Sequence, residues 1–174
     1  MPKLLFAALA SVTLTASIAT AQQTAPPPSP CETDAAFHAF DFWIGDWKVS
    51  ARSSGKYAGE NSITPIEGQC ALMEDWKGQA GSTGKSLNYY NPLTKTWRQI
   101  WVSAGAYSLD IEGGMQEGSM VLEGTIWYYA SGQSAPFRGT WTPNADGSVR
   151  QFFEQYDAGK QAWQPWFDGL YERR

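Results

Sequence analysis

Few residues in this chain are able to do chemistry, and most of those are carboxylates. Glu74 and Glu154 each stand inside a short aromatic-rich run, ALMEDWK and VRQFFEQY. Asp110 and Glu112 lie two residues apart, which puts them on one face of an extended strand. Carboxyl groups in a cleft take on raised proton affinity as they lose water, and such acids act as general acid and base on a sugar or a small acid. Glu74 and Glu154 are the catalytic candidates on that reasoning. Acids on neighbouring strands are more commonly solvated or ion-paired surface, and both readings stand at this point.

Other chemistry lacks its parts. The chain has one histidine, His38, and two cysteines, Cys31 and Cys70. If the cysteines are bridged, no zinc cluster can be assembled, so no metal is expected. A lone imidazole at His38 could ligate haem, but a histidine on a short capping segment is usually structural or exposed, and no cofactor is expected. The stretch Gly78 to Ser86 (GQAGSTGKS) fails as a phosphate loop because Gln79 stands where the first glycine belongs. Ala80 to Gly84 (AGSTG) approaches a nucleophile elbow, with no downstream histidine to serve as base. A calcium loop of Asp-x-Asp type is absent from the sequence.

The positioning elements begin after the N-terminus. Lys3, the apolar run Leu4 to Ile18 and the small-x-small triplet Ala19-Thr20-Ala21 match a cleaved signal peptide over residues 1–21. A membrane anchor would need about 20 apolar residues. A lipoprotein reading of Cys31 fails because Ser29-Pro30 does not make a lipobox. Residues 22–30 (QQTAPPPSP) form a proline-rich spacer, since prolines refuse helix and ladder. One domain over residues 31–174 remains, periplasmic or secreted in location, with no membrane span after cleavage. In an oxidising compartment two thiols pair in only one way, so a Cys31–Cys70 disulfide is expected. The formal net charge of −4, or −5 without Lys3, excludes the basic face that a nucleic-acid partner requires.

Ala35 to Ile44 spaces Phe37, Phe40 and Ile44 by three and four, the pattern of one short helix. From Gly45 onward the chain is about ten runs rich in β-branched and aromatic residues, separated by Gly, Pro, Asn and Asp. Their short links force antiparallel neighbours. Asn91 to Lys95, Pro143 to Gly147 and Asp157 to Lys160 carry tight-turn chemistry. A meander of this length removes its exposed edges by closing, so the expected fold is an all-β, about ten-stranded, antiparallel up-and-down barrel with a short N-terminal helix.

With Asn91 to Thr96 as the turn, Tyr90 faces Trp97, Asn88 faces Gln99 and Ser86 faces Trp101. Leu72, Glu74 and Trp76 share one face of their strand. Neither face of these strands is wholly apolar, which suits a barrel with a partly wet interior better than a dry core. Trp76, Asn88, Gln99, Trp101, Trp141 and Gln151 are the expected ligand-binding wall: the aromatics give contact area and the amides give orientation. The same residues would also serve as core filler, their amides satisfied by buried water.

Gly45-Asp46-Trp47, opening the first strand after the short helix, resembles the G-x-W start of lipocalin-like (calycin) barrels. There the Trp plugs the barrel floor beneath a late basic side chain, a part open to Arg173 or Arg150. The longer strings FDFWIGDWKV, CALMEDW, LNYYNPLTKTWRQIWV, WTPNADGSVRQFFE and FDGLYERR are similar to a family of exported bacterial proteins of unassigned activity, across essentially the whole mature chain. That resemblance implies a calycin-type barrel outside the cytoplasm and brings no mapped site. Three functions follow as expectations: a barrel binding a small apolar or amphipathic molecule, an acid–base lyase or isomerase working through interior acids, or an envelope module meeting a protein or glycan. The first is preferred, so an enzyme is the less expected outcome. The oligomeric state is open.

Overall fold

The computed structural model describes residues 27–174. The expected signal peptide and the first part of the spacer lie outside the described residues. Ten strands follow one another: β1 (Gly45–Ala51), β2 (Tyr57–Ile66), β3 (Ala71–Gly78), β4 (Thr83–Asn91), β5 (Thr96–Ser103), β6 (Tyr107–Gln116), β7 (Ser119–Tyr128), β8 (Ser134–Pro143), β9 (Val149–Asp157) and β10 (Ala162–Arg173). Each pairs antiparallel with its sequence neighbour, and β1 pairs with β10, so the sheet is a closed barrel. This is the calycin-like meander the sequence predicts. The register of the β4–β5 hairpin is also the expected one, with Ser86 opposite Trp101, Asn88 opposite Gln99 and Tyr90 opposite Trp97.

The N-terminal segment differs from the single helix expected over Ala35 to Ile44. It consists of one α-turn (Pro30–Thr33) and two 3-10 turns, Ala35–His38 and Asp41–Trp43. The reason lies in the spacing of the residues that bury. Phe37, Phe40 and Trp43 are the buried positions, whereas Ile44 is only half-buried. Intervals of three and three match the 3-10 repeat, which stacks residues i and i+3 directly. The segment caps one end of the barrel. There Phe40 stacks on Trp43 and meets Trp97 and Trp141 edge-on, and Trp97 Nε1 donates to the Ala36 carbonyl at 3.0 Å.

Trp47 completes this floor. Its ring is fully buried, its Nε1 donates to the Trp43 carbonyl at 2.9 Å, and the Arg173 guanidinium lies 4.1 Å from its ring centre. Arg173, and not Arg150, therefore covers the Trp. Arg150 faces outward, paired with Asp168 and lying over Phe152. The outer wall carries further ion pairs, Asp75–Lys85, Arg98–Asp110 and Arg138–Glu154. Charges outside and apolar rings inside are the reverse of a lipid-facing barrel. No helix among the described residues is long and apolar enough to cross a membrane.

The Cys31–Cys70 disulfide is present and ties the capping segment to the turn before β3. Bridging cysteines 39 residues apart removes loop entropy from the unfolded chain, about 4 kcal/mol in the chain-entropy model. Reduction, or a Cys31→Ser and Cys70→Ser double variant, is expected to lower the urea-unfolding free energy by about 2–4 kcal/mol. Equal midpoints for oxidised and reduced protein would show that the bridge contributes nothing to stability.

Candidate functional site

Strand alternation turns Asn61 of β2, Glu74 of β3, Ser86 and Asn88 of β4, and Gln99 of β5 into the barrel, and all five are buried. Gln151 of β9 and Tyr171 of β10 are buried from the other side of the β1–β10 seam. The five polar side chains and these two form one hydrogen-bonded belt. Gln99 Nε2 donates to Asn88 Oδ1 at 2.8 Å, and Asn88 Nδ2 donates to Ser86 Oγ at 2.8 Å. Ser86 Oγ donates to Glu74 Oε2 at 2.6 Å, and Asn61 Nδ2 donates to Glu74 Oε1 at 2.6 Å. Asn61 Nδ2 also reaches the Tyr171 hydroxyl at 3.3 Å, and that hydroxyl donates to Gln151 Oε1. Across the barrel, β6 to β8 turn in mostly apolar side chains, among them Leu109, Ile111, Leu122, Ile126 and Phe137, with the phenol of Tyr107 at the cavity.

Between the belt and the apolar wall lies a cavity of about 190 Å³. Glu74, Trp76, Gln99 and Trp101 border it from one side, and Gln151, Phe153, Phe167 and Tyr171 from the other. Tyr107, Leu109 and Trp166 complete the lining. Trp166 is there because β10 slips register between Pro165 and Phe167, a bulge that sends both Trp166 and Phe167 toward the interior. Its ring rests edge-on against Tyr107 at 5.2 Å and Phe137 at 5.5 Å, and its Nε1 donates to the Tyr128 hydroxyl at 3.0 Å. It remains part-exposed, which places it at the cavity mouth.

The large rings on the opposite wall are seated on glycines. The Trp76 ring lies over Gly59, where a Cβ would fall 2.8 Å from it, and the Trp101 ring lies over Gly84, where a Cβ would collide with it. A glycine in a strand admits the close approach of a neighbouring ring, and a side chain at either position would displace the tryptophan.

Of the wall residues expected from sequence, Trp76, Gln99, Trp101 and Gln151 border the cavity. Asn88 sits within the belt, spent on Ser86 and Gln99, and Trp141 belongs to the floor with Phe40, Trp43 and Phe153. The two candidate acids are separated. Glu74 is 3% exposed inside the barrel. Glu154 faces outward and accepts from Arg138 Nε and Nη2 at 3.0 and 2.8 Å, so it has no part in an interior pair. Asp110 is likewise outside, held below its ordinary range by the hydrogen bonds from Arg98. His38 pairs with Asp41 at 2.8 Å on the capping segment. Asn61, Ser86, Tyr107, Phe153, Trp166, Phe167 and Tyr171 were not expected at the site. Phe153 could have been read two residues on from Gln151, and Ser86 from its place opposite Trp101; Trp166 could not, because the bulge breaks the alternation.

Glu74 is the electrostatic centre of this arrangement. Burial pushes its carboxyl up to about 7, against the hydrogen bonds from Ser86 and Asn61, which favour the ionised form. Burial also raises Tyr107 to about 12 and Tyr171 well above the usual phenol range, and the Glu74 charge adds to both. Among the described residues no group of three or more His, Cys, Asp or Glu side chains is placed to hold a metal ion. Among the described residues the buried polar atoms without a hydrogen-bond partner include Asn61 Oδ1 in the belt and Trp101 Nε1 beside the cavity, and equally Trp43 Nε1 and Trp141 Nε1 in the floor. A comparison with family models finds no match to the chain, and neither does one with curated protein sequences.

A carboxyl that binds its proton more tightly when folded stabilises the fold below its unfolded value and loses that contribution as pH rises through its folded value. For Glu74 the window runs from about 4.5 to about 7, and the contribution is on the order of 3 kcal/mol. His38, raised by its hydrogen bond to Asp41, also loses its contribution as pH rises, so a single pH curve does not isolate Glu74. The difference between wild type and Glu74→Gln does. Urea unfolding at pH 5 and pH 8 is expected to show a steeper loss of stability in wild type than in the variant, and parallel curves would place the carboxylate in water.

Proposed function

We propose that this protein is an exported binding barrel that takes a small amphipathic molecule into the cavity beneath Trp166. One observation carries the reading: a cavity of about 190 Å³ with a buried carboxyl and amides on its border and an aromatic wall around them. Small-molecule sites are concave and mostly apolar, with a few directed polar groups. A purely structural interior would close on itself, as the floor of this barrel does around Phe40, Trp43 and Trp141. The volume suits a molecule of one ring rather than a long acyl chain, since an engineered cavity of about 150 Å³ holds benzene. Export is supported by the Cys31–Cys70 bridge, which persists in oxidising compartments, and by the leader-like residues 1–21.

A second reading rests on Glu74 itself. A carboxyl poised near neutrality at the edge of a cavity can pass a proton to or from a bound substrate. With Glu154 outside, Glu74 would act alone, backed by the belt. An isomerase moving one proton between two sites of a small acid or ketone is the reaction that needs no second acid.

A thermal-shift screen of small molecules, joined to native mass spectrometry of protein purified from its own envelope, tests the binding reading. A true ligand raises the melting temperature of wild type because it binds only the folded state. Trp101→Ala, which strips one side of the cavity, is expected to weaken that ligand at least tenfold. Stabilisation that survives Trp101→Ala unchanged would put the ligand elsewhere. Turnover of any hit, abolished by Glu74→Gln while binding remains, would move the assignment to the enzyme.

A further inference from the structure

The charge balance of the interior narrows the ligand class. Glu74 is the one carboxylate among the buried residues described, and no Lys, Arg or His side chain borders the cavity. No ion pair among the described residues involves it. Its two oxygens each accept one hydrogen bond, from Asn61 and Ser86 on the adjoining strands. An ionised carboxylate has room for about four, so acceptor capacity is left on a group that also borders the cavity. Buried charges are normally paired, and among the described residues this one has no cationic partner.

The rest of the lining suits a cation. Trp76, Trp101, Tyr107, Phe153, Trp166 and Phe167 surround the same space. Ring faces carry partial negative charge, and clusters of them bind ammonium groups and their methylated forms. An anionic ligand would meet a carboxylate and no basic group. A neutral one would leave Glu74 unpaired whenever it is ionised. A divalent metal would find one carboxylate and amides, too few hard ligands for a site.

We infer that the cavity is a site for a small organic monocation, an amine joined to one apolar ring, whose ammonium pairs with Glu74 while the ring lies among the tryptophans. This rests on the binding reading above and assigns its ligand class. The belt then has a defined role, in which Asn61 and Ser86 hold the carboxylate against the wall with its free lone pairs toward the cavity. The groups that face Glu74 are Asn61 from β2, Ser86 from β4, Tyr171 from β10 and, across the cavity, Tyr107 from β6. Both phenols are raised and stay neutral below pH 9, so Glu74 alone sets the pH response of binding. Protonation of Glu74 removes the partner charge, and amine affinity falls as pH drops below about 7.

Isothermal titration with three probes of one shape tests this: phenethylamine, 2-phenylethanol and phenylacetate. At pH 8 the amine is expected to bind at least tenfold tighter than the alcohol, and phenylacetate weakest. Between pH 8 and pH 6 the amine should lose about tenfold, the ratio of ionised Glu74 at the two values, while the alcohol stays level. Glu74→Gln is expected to bind the alcohol as wild type does and to lose the amine preference. The wild-type pH series stands if that variant fails to fold. An alcohol that binds as tightly as the amine overturns the cation assignment and leaves the binding cavity in place. Phenylacetate binding that strengthens toward pH 6 overturns it in favour of an acid sharing a proton with Glu74. If none of the three binds, both the cation assignment and the single-ring cavity fall.

Discussion

Closure of the sheet between β1 and β10 is the constraint on which the site depends. The pairing sets Trp47 opposite Arg173 and Val49 opposite Tyr171, and it does two separate things. It brings the guanidinium of Arg173 over the Trp47 ring, sealing the floor. It also carries Tyr171 and Gln151, from the end of the chain, to Asn61 and Glu74, from its beginning. An open sheet would leave the polar belt in two halves. Asn61 and Tyr171 are 110 residues apart in sequence, so their contact exists only in the closed barrel. That single seam makes the interior continuous.

Within the seam, polarity is divided by strand and not by depth alone. β2 to β5 and β9 to β10 supply amides, hydroxyls and the carboxylate, while β6 to β8 supply aliphatic and aromatic groups. Each belt member is hydrogen-bonded to the next, which limits the desolvation cost of burying it, although Asn61 Oδ1 is left without a partner among the described residues. Glu74 is the exception in kind, because a charge costs far more than an amide to bury. Two neutral donors lower that cost without neutralising it, and the carboxyl responds by holding its proton to about neutral pH. The fold thus gives up stability above neutrality at this one position. Proteins carry such local losses where a site needs them, and the loss falls on the group that borders the cavity.

The barrel was legible in the sequence because antiparallel meanders write themselves locally. Short turns such as Asn91 to Lys95 fix the register of their own hairpins, and period-two alternation then assigns a face to every residue. Glu74, Trp76, Gln99 and Trp101 follow from that arithmetic alone. Glu154 was misread for an instructive reason: it stands among aromatics in sequence, but Phe152 and Phe153 face opposite sides, and Glu154 shares its side with Arg150 and Phe152. Alternation gives parity, and only the pairing with Arg138 says which parity is outside. The contribution of Tyr171 needed the long-range seam, and that of Trp166 needed a bulge, neither of which leaves a local pattern. The capping segment was read with the wrong period because Ile44 is as apolar as Trp43, and burial alone distinguishes them.

The interior is hollow over only part of its length, and the size of the hollow is set by what fills the remainder. Phe40, Trp43 and Trp141 pack together in the lower half, anchored by the capping segment and its disulfide. Above them the rings of Trp76 and Trp101 pack on Gly59 and Gly84 and line the space. A side chain at either glycine would push a tryptophan inward and consume the cavity from the wall. The space in front of Glu74 therefore depends on two residues with no side chain. Their backbone is not in the left-handed region that would call for glycine; at Gly84 the Trp101 ring is the reason, and at Gly59 the Lys77 carbonyl, 2.5 Å from a Cβ, excludes a side chain together with the Trp76 ring.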